Sequence, residues 1–415
     1  MTNQQDPAQV FDLVLGGGRV IDPANGIDER LDVAIAGGRI ALVAAHIPAH
    51  VAAQRIDVSE HIVTPGILDI HTHVYTFTPT DAAYVESVNA DAHLVSCGVT
   101  TTVDAGTAGW RDFVDFKEKC IDKATTRILA LINIASGGML DRVTEQEIDE
   151  LNPEITAAVA SAYPEIIVGI KSAHYWTRRP WDAAHPPWAS VTRAVQAGER
   201  CGKPVMVDFW PRPPERSYSE LLLHRLRPGD IHTHVFAQQF PIVDAAGKVR
   251  DHLWQARKRG VILDLGHGAA SFWFRNAWPA LQDGFAPDSI STDLHMGNIN
   301  GPVISMLNTM SKYLNMGMSL SQVIMRATAS PARVIGRPDL GTLSVGAEAD
   351  VAVFKRLEGL FGFADCGRAR LTGRSKLECA LTIRAGQIVY DPAGLSMPEW
   401  PDAPEAYWKV PELQG

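Results

Sequence analysis

The 415-residue chain has a formal net charge of −9, and 46% of its residues are hydrophobic and 20% charged. This composition is typical of a globular protein with a large core, and the negative charge disfavours nucleic acid and anionic membranes as partners. No signal peptide, no run of 18 apolar residues and no C-x-x-C pair among the five cysteines is found. We therefore expect a cytoplasmic protein with reduced thiols. Its expected partners are a small-molecule substrate and further copies of the chain in a homo-oligomer.

The two ends of the chain consist of short strand-like runs. "FDLVLGGGRVID", "DVAIAGGRIALVA" and "AQRIDVS" alternate apolar and polar residues between Gly pairs and Asp-Pro, which indicates hairpins. "LGGGRV" leads into a strand rather than a helix, so it is interpreted as a turn and not as a phosphate-binding loop. Similar runs return in "GTLSVGAEADVAVFKR" and "ALTIRAGQIVYDP". We predict that residues 1–63 and 339–415 form one composite β-sandwich domain.

Between these ends, eight apolar, β-branched runs alternate with helical segments such as "WASVTRAVQAGERCG". Continuous apolar strands separated by amphipathic helices indicate a parallel sheet that is covered on both faces. Eight such units predict an α/β fold, a (β/α)8 TIM barrel, over residues 64–338. The runs are "GILDIHTH", "GVTTTVDAG", "RILALINIAS", "EIIVGIKSAH", "PVMVDFW", "DIHTHVF", "GVILDLGHG" and "DSISTDLHM".

Polar side chains stand at the ends of these runs, where barrels of this type carry their chemistry. His71 and His73 are two residues apart, so they share one face of the first strand and can hold a single ion. Alone, such a pair also fits two hydrogen-bonded histidines at a strand edge. The further strand-end residues are Lys171, Asp208, His234, His267 and Asp293.

Taken together, these motifs resemble the amidohydrolase superfamily of metal-dependent hydrolases. The resemblance rests on "PGILDIHTH", "VGIKSAH", "THV", "STDLH" and the closing "ADVAVF", and it extends over nearly the whole chain. Within the superfamily, "GVTTTVDAGTAGW", "LINIASGG" and "LDLGHGAASFWF" look closest to the dihydroorotase-like branch, whose members include deacetylases and esterases of N-acyl amino acids and acylated α-hydroxy acids.

The resemblance implies a centre with two divalent ions, zinc being expected and manganese the alternative. His71, His73 and Asp293 would hold the first ion, and a carboxylated Lys171 would bridge both. Burial disfavours the charged amine, which makes Lys171 available for reaction with CO2. The second ion would take the carbamate and His234.

Strand 5 departs from the family pattern, because Asp208 stands where the family has histidine. A carboxylate oxygen binds zinc at about the same distance as an imidazole nitrogen, but it adds a negative charge that favours harder ions such as manganese. Three interpretations remain open: two metals with Asp208 as a ligand, one metal only, or loss of activity.

The implied mechanism assigns two roles to Asp293, as general base toward the attacking water and as general acid toward the leaving group. Candidate substrate contacts are His267, Tyr175, Trp176, Arg178 and Trp210, with Trp181, Trp188, Trp273, Arg179 and Arg212 nearby in sequence. Aromatic residues with arginines favour a bulky acyl substrate that carries a carboxylate. A cyclic-amide hydrolase of the dihydroorotase or hydantoinase type is the alternative. A non-catalytic scaffold is disfavoured because five of the ligand positions are retained.

Overall fold

The computed structural model describes residues 10–76, 86–141, 143–173 and 180–410. Within these ranges, none of the helices combines the length and the apolar character needed to cross a bilayer. The described strands belong to two sheets, one built from the ends of the chain and one from its middle.

The first sheet combines strands from both ends of the chain. Its hydrogen-bonded order is β15-β14-β13-β5-β1-β2-β3, and β4 pairs with β1 outside this path. Strand β13 pairs antiparallel with β5, which joins the two ends. Because all eight strands connect into one sheet, the predicted sandwich is not confirmed, and the domain limits at 63 and 339 stay predictions. The strands are β1 (Phe11–Asp22), β2 (Ile27–Ala36), β3 (Arg39–Ala44), β4 (Ala52–Asp57), β5 (Ile62–Pro65), β13 (Val351–Ala364), β14 (Arg370–Arg384) and β15 (Gln387–Tyr390).

The glycine run "LGGGRV" lies inside β1, so the predicted turn is wrong. The pairing of β1 with β2 shifts register between Leu15 and Gly18, which marks a bulge. Gly17 has a φ of 76°, a left-handed conformation that glycine adopts without steric cost, and its N–H donates to Asp32 Oδ1 at 2.7 Å. The glycines therefore bend one strand instead of separating two.

The second sheet is parallel and curls back on itself. Its order is β12-β11-β10-β9-β8-β7-β6. Two isolated parallel bridges, Asp264 with Ser289 and Thr72 with Leu294, place residues 289–294 between the two edges. Each of the eight predicted runs contains one strand or, for the eighth, these two bridges. The strands are β6 (Ile67–Thr72), β7 (Val99–Gly109), β8 (Arg127–Asn133), β9 (Ile167–Ser172), β10 (Val205–Val207), β11 (Ile231–His232) and β12 (Ile262–Leu263).

Helices cover the outer face of this sheet. Strand β8 shows the resulting double burial: Ile128 and Ile132 lie in the large apolar cluster shared with the helices, whereas Leu129 and Leu131 lie in a separate cluster that includes Met206. Successive side chains of this strand thus enter two different apolar clusters, which explains why its sequence is continuously hydrophobic.

Five of the ten described α-helices begin at a residue whose side chain caps a backbone N–H. The Asn152 side chain accepts from Ile155 N–H ahead of Pro153, and Ser319 with Gln322 forms a capping box. The helices are α1 (Ala90–His93), α2 (Phe113–Lys119), α3 (Pro153–Ala162), α4 (Ala189–Cys201), α5 (Tyr218–Glu220), α6 (Asp251–Lys258), α7 (Phe274–Gln282), α8 (Met306–Asn315), α9 (Leu320–Ala327) and α10 (Ala329–Val334). A π-helical turn covers Leu221–Arg225, and 3-10 turns cover Ala49–Val51, Val95–Cys97, Ile121–Lys123, Thr144–Gln146, Ile148–Glu150, Trp400–Asp402 and Glu405–Trp408.

Candidate active site

The two histidines of the first parallel strand face the same carboxylate. His71 is the penultimate residue of β6 and His73 directly follows the strand, and their side chains are 1% and 2% exposed. Their Nε2 atoms lie 3.5 Å and 3.0 Å from Asp293 Oδ1. One ligand atom from each of these three residues lies within 4.8 Å of the others.

Hydrogen bonds to the backbone N–H and C=O groups of Asp293 hold this residue in place. Its N–H donates to His71 O at 2.6 Å, and Asn298 Nδ2 donates to Asp293 O at 2.7 Å. Its φ of 53° lies in the left-handed region, which residues other than glycine adopt at a cost of about 1–3 kcal/mol. This conformation is maintained by the neighbouring strands and directs the carboxylate toward the histidines.

Lys171 enters the same space from the end of β9. Its side chain is 1% exposed, and Nζ donates to His71 Nε2 at 3.3 Å. Burial lowers the pKa of this amine. Gly106 on β7 leaves the necessary room, because a Cβ there would lie 2.6 Å from Lys171 Cβ.

Asp208 and His234 form the opposite side of the site. His234 Nε2 lies 3.5 Å from Asp208 Oδ2, and the rings of His234 and His71 are 5.0 Å apart between centroids. Nδ1 of His234 donates to Gly266 O at 2.5 Å. Burial opposes protonation of His234, but the carboxylates of Asp208 and Asp293 outweigh it and raise its pKa to about 8.

This donor set fits a divalent cation. Two donors bonded to one zinc ion at about 2.0–2.2 Å lie at most about 4.4 Å apart, and the distances from Asp293 Oδ1 to the Nε2 atoms of His71 and His73 fall below that limit. Imidazole nitrogens combined with carboxylate oxygens are the ligands that zinc and manganese accept. His71, His73 and Asp293 can therefore hold one ion, and His234 with Asp208 provides donors beside it.

One cavity of about 290 Å³ contains all of these groups. It opens at the carboxyl ends of the parallel strands, where barrels bind their substrates. The residues around it are His71, His73, Met139, Lys171, Asp208, Trp210, His234, Gln238, Gln239, Ala269, Ala270, Ser271, Asp293 and His295.

Comparison with known sequences identifies the class of protein. Residues 274–389 match the sequence model of the amidohydrolase family. A protein named deacetylase from Enterococcus faecalis is 29% identical over 92% of this chain and 99% of its own length. A deacetylase from Agrobacterium fabrum is 34% identical over 78% of each chain. The chain belongs to the amidohydrolase family.

Solved structures agree with this assignment. A crystal structure described as an adenine deaminase superposes with a TM-score of 0.81 at 29% identity, covering 92% of this chain and 100% of that one. One described as a dihydroorotase gives 0.76 at 28% identity, covering 91% and 99%. The protein is thus a metal-dependent amidohydrolase that hydrolyses C–N bonds.

The structure brings all six predicted ligands and Trp210 of this amidohydrolase around one cavity. Tyr175, Trp176, Arg178 and Arg179 lie outside the described residues. Trp181 packs on His185, with the guanidinium of Arg212 4.7 Å from the centre of its ring. Trp188 stacks on Phe209, and Trp273 donates to Ala270 O at 2.9 Å. Trp181, Trp188, Trp273 and Arg212 are not among the residues that line the cavity.

His267 lies behind the cavity wall. It is fully buried, its Nδ1 donates to Gly268 O, and its Nε2 accepts from Lys312 Nζ at 2.6 Å. Its ring stacks on Phe272. The residue predicted to contact substrate therefore has both ring nitrogens bonded within the protein, and it does not line the cavity.

Several residues around the cavity were missed by the sequence analysis. Gln238, Gln239 and Ser271 follow strands 6 and 7, and His295 stands two residues after Asp293 in "STDLH". Gln238, Gln239 and Ser271 come after predicted strands and His295 lies near the end of the eighth run, so all four stand where loops surround a barrel mouth. Considering every residue near the ends of the predicted strands, uncharged residues included, would have found them.

Burial of Lys312 gives the amidohydrolase a predicted pH dependence of stability. Desolvation lowers the pKa of Lys312 from 10.5 to about 7. The unfolded chain therefore binds more protons than the folded one between these two values, and stability should rise with pH across that window by at most about 1.4 kcal/mol per pH unit. Thermal unfolding from pH 7 to 9 should show this rise in the wild type and a flatter profile in Lys312→Met. Lys376→Met, at an exposed position, is the control, and equal slopes in all three proteins would contradict the prediction.

Proposed function

We propose that this amidohydrolase removes the acyl group from an N-acyl amino acid or an acylated α-hydroxy acid. The observation that carries the proposal is the gathering of His71, His73, Lys171, Asp208, His234 and Asp293 around one cavity. Two relatives that share most of their length with this chain are named deacetylases, which favours an exocyclic acyl bond as the target.

We assign two divalent ions to these six residues, with zinc proposed and manganese as the alternative. His71, His73 and Asp293 would hold the first ion, and Asp208 and His234 would contribute to the second. Lys171 would serve both as N6-carboxylysine: its neutral amine would form an N–C bond with CO2 and release one proton, which leaves an anionic oxygen donor. The buried, desolvated position of Nζ beside His71 supports this assignment. When bound, such ions lower the pKa of water and polarise the scissile carbonyl.

Asp293 has two oxygens in different surroundings, which suits a ligand that also moves a proton. Oδ1 faces the histidines of β6. Oδ2 faces Gly268, where an added Cβ would lie 2.6 Å away. With Oδ1 committed to an ion, Oδ2 is the atom that takes the proton of the attacking water and passes it to the leaving amine or alkoxide.

His295 is placed to donate a hydrogen bond to the substrate. Its Nδ1 accepts from Gly297 N–H at 3.1 Å, so the ring proton resides on Nε2. A side chain at Gly297 would meet this ring, since its Cβ would lie 2.8 Å from His295 Cε1. His295 thus offers an N–H at the cavity beside Asp293, suited to a carbonyl or carboxylate oxygen.

The cavity wall suits a compact acyl compound with an apolar portion. Trp210, 41% exposed, and Met139 supply apolar surface, and Gln238 and Gln239 supply amides. A substrate carboxylate would pair with an arginine outside the described residues, for which Arg178 is the first candidate, together with Tyr175 and Trp176 as aromatic contacts. His267 is assigned a supporting position behind the wall.

Cyclic-amide hydrolysis is the second candidate, because a structure described as a dihydroorotase matches 91% of the chain. Both reactions use the same kind of metal centre and differ in whether the scissile amide lies in a ring. Substrate preference therefore separates the candidates.

The proposal predicts metal-dependent hydrolysis of exocyclic acyl compounds. Chelation should abolish activity and added zinc or manganese should restore it, because both ions serve the same donor set. Activity should be measured on N-acetyl and N-aroyl amino acids of both configurations, on O-acyl α-hydroxy acids, and on dihydroorotate and hydantoins. Full activity after chelation would contradict a metal-dependent reaction, and opening of cyclic substrates alone would select the second candidate.

Lys171 should be carboxylated in the metal-loaded protein. After exchange with 13C-bicarbonate, carbon NMR should show a carbamate signal in the wild type that is absent in Lys171→Ala. That variant should lose metal and activity, and short carboxylic acids should restore part of both, since they replace the missing oxygen donor. Lys376→Ala, at an exposed position, should match the wild type. A metal-loaded wild-type protein with no carbamate signal would refute the assignment.

Asp208 should determine whether a second ion is bound. Asp208→Ala should lower the metal content from about two ions per chain to about one, because the second site loses an oxygen donor. Asp208→His should keep both ions and shift the preference toward zinc, because imidazole removes a negative charge. Elemental analysis after equilibration with equal zinc and manganese measures both effects, with Asp339→Ala on an exposed ion pair as the control. Unchanged metal content in Asp208→Ala would exclude Asp208 as a ligand.

A further inference from the structure

His71 is hydrogen-bonded, on the side away from Asp293, to a buried threonine. Its Nδ1 lies 2.9 Å from Thr233 Oγ1, and this hydroxyl lies 2.8 Å from Asp264 Oδ2. Thr233 and Asp264 are fully buried. They follow strands β11 and β12, so the contact reaches His71 from across the barrel.

His73 has the same kind of partner on the neighbouring strand. Its Nδ1 lies 2.7 Å from Thr107 Oγ1, which lies 2.9 Å from Asp104 Oδ2. Thr107 and Asp104 belong to β7 and are buried. Two threonine–aspartate pairs from different strands thus contact the two histidines of β6 in one pattern.

Counting protons fixes the direction of these bonds. Asp264 receives further hydroxyl bonds from Ser289 and Ser291, and Asp104 receives the N–H groups of Val74 and Thr107. A carboxylate only accepts, and a threonine hydroxyl has a single proton. That proton goes to the carboxylate, so the hydroxyl oxygen can only accept from the histidine.

The histidines must therefore carry their proton on Nδ1. In the neutral ring, the other nitrogen then has a free lone pair, as metal coordination requires. These Nε2 atoms are the ones that face Asp293 at 3.5 Å and 3.0 Å. His234 reaches the same state more simply, because its Nδ1 donates to a backbone carbonyl, Gly266 O.

We propose that Thr233–Asp264 and Thr107–Asp104 are positioning pairs that fix the tautomer and ring orientation of His71 and His73 for metal binding. The inference rests on the proposed metal centre, to which it adds four residues that bind no ion themselves. Loss of one such partner lowers metal affinity by about 10–100-fold in comparable sites.

The test replaces the hydroxyl of each threonine with a methyl group and keeps the shape of the side chain. Thr107→Val and Thr233→Val should each weaken Zn²⁺ binding by about 10-fold or more, measured by competition with a chromophoric chelator after the native metal has been removed. Thr107→Ser and Thr233→Ser keep the hydroxyl and should bind as the wild type does. The visible absorption spectrum of the Co²⁺ form should change in the valine variants and return in the serine variants, which a loss of stability alone would not produce.

Thr382→Val is the matched control. Thr382 is fully buried in β14 of the other sheet, and its hydroxyl donates to the backbone carbonyl of Val95. It should leave Zn²⁺ affinity unchanged. Asp264→Asn covers the case in which a valine variant does not fold, since the hydroxyls of Ser289 and Ser291 can turn to accept from an amide. The remaining amide oxygen still accepts from Thr233 but carries no charge, so it holds the hydroxyl less strongly and Zn²⁺ binding should be weaker than in the wild type.

The outcomes separate the two proposals. A wild-type protein that binds no Zn²⁺ refutes the proposed metal centre. A wild-type protein that binds Zn²⁺, together with folded valine and asparagine variants of equal affinity and spectrum, overturns the positioning pairs alone.

Discussion

Asp293 reaches the two histidines of β6 because residues 289–294 close the gap between the two edges of the parallel sheet. Thr292 donates to the buried Asp69 through both its N–H and its hydroxyl, and His73 N–H donates to Leu294 O at 3.0 Å. Bonds on either side of Asp293 thus connect its segment to β6. The closure of the barrel also assembles the group of His71, His73 and Asp293, since these residues come from two distant parts of the sequence and meet only when these bonds form.

Burial gives the site an electrostatic requirement that a cation satisfies. Asp208 and Asp293 are carboxylates in a mostly buried cluster, and their charge raises the pKa of His234 to about 8 while burial and the charge of Lys171 lower the pKa of His71 to about 3. Protonated His234 balances part of this negative charge when no ion is bound. A metal ion would take over that role, so its binding would release a proton from the cluster.

The sequence predicted the parallel strands of the barrel well, because strands buried on both faces read as continuous apolar runs. It overstated their regularity: β11 and β12 each comprise two residues, and the eighth run holds only two bridges. The six predicted ligands lie around one cavity because strand ends converge at one end of a barrel.

His267 satisfied the same strand-end rule and yet lies behind the wall, because Lys312 of α8 donates to its Nε2 and Phe272 stacks on its ring. The contact with Lys312 comes from a distant segment and leaves no trace in local spacing. The threonine–aspartate pairs were missed for the same reason, since Thr233 and Asp264 become partners of His71 only after the sheet has curled. The glycine run of β1 was wrongly predicted to be a turn, because glycine is favoured both in bulges and in turns and the sequence pattern does not separate the two.

The segment from Asp264 to Gly268 connects these observations, although none of its residues is a proposed ligand. Asp264 accepts from Thr233 behind His71, Gly266 O accepts from His234, and Gly268 leaves room for Asp293 Oδ2. Lys312 holds the segment from outside through His267. One short stretch of backbone therefore touches ligands of both proposed metal positions. A shift of this stretch would disturb both proposed metal positions together.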